Sequence, residues 1–140
     1  MSDSIAMAEG QKHLTGGCLC GHVKFKVDGP MREVVACHCS QCRKQTGNFF
    51  ATSNARSADV TFLETSGLKW FKSSDKAERG FCQDCGSALF WRRFDSDTIS
   101  ITAGSLDGKT GLYICEHIYV ADKPDWYEIT DGKKQYQIWR

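Results

Sequence analysis

The sequence is short of several things, and each shortage narrows what it encodes. No segment approaches the roughly 18 consecutive apolar residues of a membrane-spanning helix. The opening "MSDSIAMAEGQKH" carries acidic residues where a secretion signal needs an apolar run. Excess charge of one sign is missing too: the net charge is +1 with 25% charged residues, which argues against a nucleic-acid partner held by bulk basicity. There are only two prolines, no internal repeat and no low-complexity tract to mark off a second domain. No stretch keeps a sustained 3.6-residue period, so no long amphipathic helix is expected. What remains is a chain of 140 residues, 41% hydrophobic, suited to one globular domain with a single core. The expectation is a cytoplasmic protein with no membrane association.

The pattern that is present has a period of two. "GHVKFKV" (21–27) alternates His22, Lys24 and Lys26 with Val23, Phe25 and Val27, which reads as a half-buried strand. Further β-like runs are "MREVVA", "NFFATS", "DVTFLE", "LKWFKS", "SALFWRR", "DTISITAG", "LYICEHIYV" and the tail "YQIW". Turn signals separate many of them: "DGP" at 28–30, "TSG" at 65–67, "SSD" at 73–75, and "DG" at 107–108 and 131–132. One short helical turn is expected after Cys39, through "SQCRKQ". The fold class is mainly β: a single domain of short antiparallel strands with little helix, stapled by metal. Residues 1–12 are expected to form a flexible N-terminal tail and 13–140 the domain.

Against those shortages stand eight cysteines. In a reducing compartment clustered cysteines bind metal or do chemistry rather than form disulfides. Seven of them fall into "CLCG" (Cys18, Cys20), "CHCSQC" (Cys37, Cys39, Cys42) and "CQDCG" (Cys82, Cys85). In an extended C-x-C both sulfurs face one side, so Leu19 is expected in the core and His38 away from its flanking cysteines. In C-x-x-C a tight turn aims both sulfurs at one ion. The first and third clusters end in Gly21 and Gly86, which let the backbone take positive φ and turn its N–H groups toward the sulfurs. The middle cluster ends in Arg43 instead. Cys18 and Cys20 therefore pair with Cys82 and Cys85 as a closed structural zinc site.

Cys37, Cys39 and Cys42 are left as a trio, and three protein ligands plus an exchangeable position is how a catalytic zinc is built. Two zinc ions per chain are expected, one structural and one catalytic. His38, His117 and Cys115 are the alternatives for a fourth ligand; the plainer readings are a hydrogen-bonded histidine for His117 and an apolar filler for Cys115. A zinc with three thiolates carries about −1 net charge and binds and deprotonates another thiol, whose free pKa is about 8.5. The thiolate so formed attacks a small electrophile such as an aldehyde carbon. Arg43 and Arg79 are the candidate anion-binding residues beside it. Phe49 and Phe50 are expected to face opposite ways, one of them toward a pocket.

The motifs "GGCLCGHVKF", "CHCSQCRKQTG", "FCQDCGSALF", "ITAGSLD" and "HIYVADKPDWYEITDG", in this order over residues 15–131, resemble the glutathione-dependent formaldehyde-activating enzyme family. That family also contains centromere protein V. The resemblance implies a β-tent fold, a structural zinc at Cys18, Cys20, Cys82 and Cys85, and a second, catalytic zinc at Cys37, Cys39 and Cys42. It implies a carbon–sulfur lyase that combines glutathione, or another thiol, with formaldehyde or a related small aldehyde. Trp126 and Asp107 belong to the same pattern and read as a core aromatic and a turn. Two other functions fit the clustered thiols: a non-catalytic zinc module for protein or nucleic-acid interaction, and a redox-responsive zinc protein.

Overall fold

The computed structural model describes residues 11–139. Most of the expected tail, residues 1–10, lies outside the described residues. Its last two, Gln11 and Lys12, are already paired in the first strand.

Among the described residues, eleven strands form two sheets. Strands β1 (Gln11–Gly17), β2 (Lys24–Pro30) and β5 (Val60–Glu64) make a small sheet in the order β1-β2-β5. The large sheet contains β3 (Val34–Cys37), β4 (Phe50–Arg56), β6 (Leu68–Lys72), β7 (Ala77–Cys82), β8 (Ala88–Arg93), β9 (Thr98–Thr102), β10 (Ile114–Ile118) and β11 (Lys134–Gln135). Its order is β11-β10-β3-β4-β9-β8-β7-β6. An α-helix, α1 (Ser40–Thr46), follows Cys39 as expected. No helix among the described residues is long and apolar enough to cross a membrane.

The core sits where the two sheets meet. Along β2 the exposed Lys24, Lys26 and Asp28 alternate with buried Phe25 and Val27. The strand starts at Lys24, because Gly21 takes φ 87° and turns the chain before it. Phe25 meets Phe90 of β8 edge-on at 5.1 Å, and Leu89, Ile99 and Ile101 close around them. Each fully buried side chain of this size contributes roughly 1.5–3 kcal/mol.

Several strand expectations change. Asp28–Pro30 is the end of β2, not a turn, and Gly29 is needed because a Cβ there would fall on the Asp59 carboxylate. β1 and β7 were not expected as strands. β1 carries one large apolar residue, Leu14, and its Gly16 lets Phe25 and the Ser105 carbonyl approach to 2.5 and 2.7 Å of where a Cβ would stand. β7 buries Arg79 where alternation would place an apolar residue. The tail "YQIW" is no strand. Its Tyr136, Gln137 and Ile138 carbonyls accept from the N–H groups of Val120, Ala121 and Tyr119, so it runs as a strap after the two-residue β11. Pairing is antiparallel except at β10, which lies parallel to both β3 and β11.

Candidate metal centres

The loop after β1 brings Cys18 and Cys20 against Cys82 at the end of β7 and Cys85 in the turn before β8. Their four sulfurs lie within 4.8 Å of one another. Cys18 Sγ to Cys20 Sγ is 3.7 Å, as is Cys20 Sγ to Cys82 Sγ. A tetrahedron with Zn–S of about 2.3 Å has sulfur–sulfur edges of about 3.8 Å, so the cage has the size of a thiolate-bound zinc. The expected left-handed glycines are there, Gly21 at φ 87° and Gly86 at φ 80°. The Val23 N–H donates to Cys18 Sγ at 3.2 Å. Cys85 Sγ lies 3.2 Å from the Ser87 hydroxyl, which also accepts the Leu19 N–H. Ser87, through its hydroxyl and then its N–H, pulls the Cys85 thiol down to about 5, while burial pushes Cys82 up.

Two residues of this loop depart from the sequence reading. Leu19 is 88% exposed, because Cys18–Cys20 lies in a bend rather than an extended strand, and the middle side chain leaves toward solvent. Gly67, read only as part of a turn, passes directly over the cage. A Cβ on it would stand 2.7 Å from Cys82 Sγ.

The second cluster forms where β3 gives way to α1. Cys37 ends the strand, Cys39 is the helix N-cap and Cys42 lies in the first turn, and the three sulfurs again fall within 4.8 Å. The Cys42 N–H donates to Cys39 Sγ at 3.3 Å. The neighbouring Cys37 and Cys42 thiols, that N–H and the Arg79 charge hold the Cys39 thiol down at about 2. The Cys37 thiol is pushed up, mainly by its hydrogen bonds with Cys39 and Cys42. Among the described residues no fourth cysteine, histidine or carboxylate joins this trio. Cys115 lies outside both clusters, at the register shift in β10.

Arg79 reaches the trio from β7. Its Nη2 donates to Cys42 Sγ at 3.3 Å, its Nε to Gln41 at 2.8 Å and its Nη1 to Gln45 at 3.3 Å. It is buried and lies 5.2 Å over the Phe50 ring. A fixed positive charge against a sulfur cluster offsets its negative charge, and in a site removed from water that interaction is little screened. Arg43 goes elsewhere: it stands in α1 away from the cavity, partly buried. Gln41 and Gln45, which hold Arg79, were not expected; their i, i+4 spacing on the helix was the only signal.

The trio opens on a cavity of about 660 Å³, whose other walls include Arg32, Phe50, Trp91, Arg93, Tyr119 and Trp139. Phe50 faces this cavity while Phe49 packs on His38 from the other side, at 5.1 Å, as alternation requires. Tyr119 holds φ at 57°, unusual for a residue with a Cβ, where the chain turns from β10 into a short 3-10 turn. Trp126 is exposed, not a core aromatic. Asp107 accepts from the Thr15 hydroxyl at 2.8 Å, tying the turn after β9 to β1.

Neither histidine joins a cluster. His38 is fully buried and points away from its flanking cysteines, its Nε2 2.8 Å from His117 Nδ1. The other nitrogen of His117 lies 2.8 Å from Asp131. Burial, with help from His117, pulls His38 down to about 4. The Lys133 N–H, and then His117, hold the Asp131 carboxyl below the usual range.

Comparison with known proteins adds four findings. The sequence profile of the glutathione-dependent formaldehyde-activating enzyme family matches residues 13–122. A Schizosaccharomyces pombe protein described as an uncharacterized lyase is 28% identical over 127 residues, covering 88% of this chain and 90% of its own. A Halomonas elongata protein named for glutathione-dependent formaldehyde activation is 30% identical over 134 residues, covering 83% of this chain and 80% of its own. In fold, a crystal structure of a Rhodobacter sphaeroides protein superposes with a TM-score of 0.58 at 19% identity, over 87% of this chain and 98% of that one.

Proposed function

The chain belongs to the glutathione-dependent formaldehyde-activating enzyme family, and from that membership we propose a carbon–sulfur lyase that joins a small thiol, glutathione in the first instance, to formaldehyde or a related small aldehyde, and parts them again, at Cys37, Cys39 and Cys42. The observation that carries this reading is the trio itself: three sulfurs, with no fourth side-chain ligand among the described residues, facing a cavity of about 660 Å³. Cys18, Cys20, Cys82 and Cys85 would hold a structural zinc ion, and the trio would hold a second. When bound there, zinc supplies a Lewis-acidic position at which a substrate thiol ionises at neutral pH.

The chain's own residues do the rest. Arg79, clamped by Gln41 and Gln45, keeps a positive charge on Cys42 and so limits how electron-rich the cluster becomes. Phe50, Trp91 and Trp139 present apolar faces that keep water from the carbonyl. Arg93, partly exposed on the cavity wall, is paired with Asp95 at 3.1 Å and would meet a carboxylated thiol by exchanging that partner. In the addition, a sulfur–carbon bond forms as the carbonyl π bond opens. The proton given up by the thiol ends on the carbonyl oxygen, and the reverse reaction returns it. Unpaired thiols in both clusters suit a cytoplasmic setting, and the chain from β1 onward acts as one domain, with Gln11 and Lys12 included in it.

The test is to titrate the zinc-loaded chain with glutathione and with other thiols by calorimetry and by X-ray absorption at the zinc edge. Sulfur added to the coordination of one of two ions is the expected result. No coordination by any thiol at millimolar concentration would overturn the reading.

A further inference from the structure

Three groups that the proposed reaction does not use form one hydrogen-bonded chain behind the trio, buried at its two histidines and open to solvent at Asp131. His117 Nε2 lies 2.8 Å from Asp131 Oδ2, and His117 Nδ1 lies 2.8 Å from His38 Nε2. A carboxylate accepts and cannot donate, so His117 carries its proton on Nε2. With the His117 ring neutral, its Nδ1 accepts and His38 donates from Nε2. Both rings are 1% exposed or less. His38 is further fixed by its backbone N–H, which donates to the Ile118 carbonyl at 3.0 Å, and by ring contacts with Phe49 at 5.1 Å and Tyr127 at 5.9 Å.

His38 is the middle residue of Cys37–His38–Cys39. Side chains on an extended segment alternate, so a middle residue locked to one side holds both its neighbours on the other. We propose that Asp131, His117 and His38 are a positioning relay: they lock the β3–α1 junction so that Cys37 and Cys39 face the ion, and thereby set how firmly the trio holds it. This rests on the trio being a metal site. The relay includes Asp131, which lies beyond the profile match ending at residue 122 but inside the "HIYVADKPDWYEITDG" motif that also holds His117. It also joins three separate stretches of chain, β10, the junction and the loop before β11. Partners of this kind, one shell out from the metal, typically change affinity 10- to 100-fold when removed.

The experiment compares the full-length zinc-loaded chain with Asp131→Ala and Asp131→Asn, following release of each ion to a chromogenic chelator. His117 Nε2 and the Lys133 N–H meet different oxygens of Asp131, so asparagine, with a single oxygen, keeps an acceptor for one of them and alanine for neither. Asp131→Ala is expected to speed loss of one ion about tenfold or more, leaving the four-cysteine ion in place, and Asp131→Asn to fall between alanine and wild type. Nitrogen-15 spectra of the imidazole rings add a signature that general loosening does not produce: Nε2 protonated and Nδ1 bare on both His38 and His117 in wild type. Wild-type release rates in Asp131→Ala, parallel loss of both ions, or a protonated Nδ1 on His117 would each overturn the relay while leaving the reaction untouched. A wild-type chain that binds a single ion would overturn the reading of the trio and the relay with it.

Discussion

Arg79 is the residue on which the electrostatics of the trio turn. Every nitrogen of its guanidinium is engaged inside the chain, one of them with Cys42 Sγ. It therefore acts as a built-in counter-charge and not as a hand extended to substrate. Removing one partner of a buried charge pair leaves the other uncompensated, at a cost of about 3 kcal/mol. Arg79→Gln is expected to lower the stability of the metal-loaded protein by about that much, and to weaken thiol binding; urea denaturation and thiol titration measure the two. Unchanged values in both would mean that the sulfur cluster needs no cation. Gly67 plays a comparable part at the other site. A Cβ there would overlap Cys82 Sγ and stand 3.0 Å from the His22 Cβ. Gly67→Ala should cost about 1–3 kcal/mol through overpacking and lower retention of the structural ion, read by metal analysis and thermal unfolding. The grouping of the cysteines was legible because ligand spacing is a local property. The His38–His117–Asp131 chain was not, because its members stand 79 and 14 residues apart and nothing local joins them.

Elements were legible to the degree that their own side chains dictated them. β2 declared itself by strict alternation, and α1 by its place after Cys39. β1 and β7 did not. One is glycine-rich and the other buries an arginine, and both exist because a neighbouring strand supplies their ladder. The parallel pairing of β10 with β3 was also out of reach, since parallel partners meet through long connections that leave no local pattern. The strap after β11 matters for function because it delivers Trp139 to the cavity. Trp139→Ala should raise KM for the thiol several-fold with little change in kcat, the mark of lost binding common to ground and transition states. A fall in kcat with KM unchanged would place Trp139 in the chemistry instead.

At the scale of the whole molecule, the two clusters differ in the span of chain they join. The four-cysteine cage ties residues 18 and 20 to residues 82 and 85, joining the loop after β1 to the β7–β8 turn. A closed thiolate site contributes folding energy outright, so Cys82→Ser should lower the melting temperature by many degrees or prevent folding; unchanged melting would contradict a structural role. The trio is local, spanning six residues at one strand–helix junction, and the β framework should stand without its ion. This division into four plus three is the central claim. It is tested most directly by metal stoichiometry, with circular dichroism, on the wild-type chain and on Cys39→Ser. The account predicts two zinc ions falling to one with the fold intact. Collapse of the fold in Cys39→Ser, or a single ion in the wild type, would contradict it.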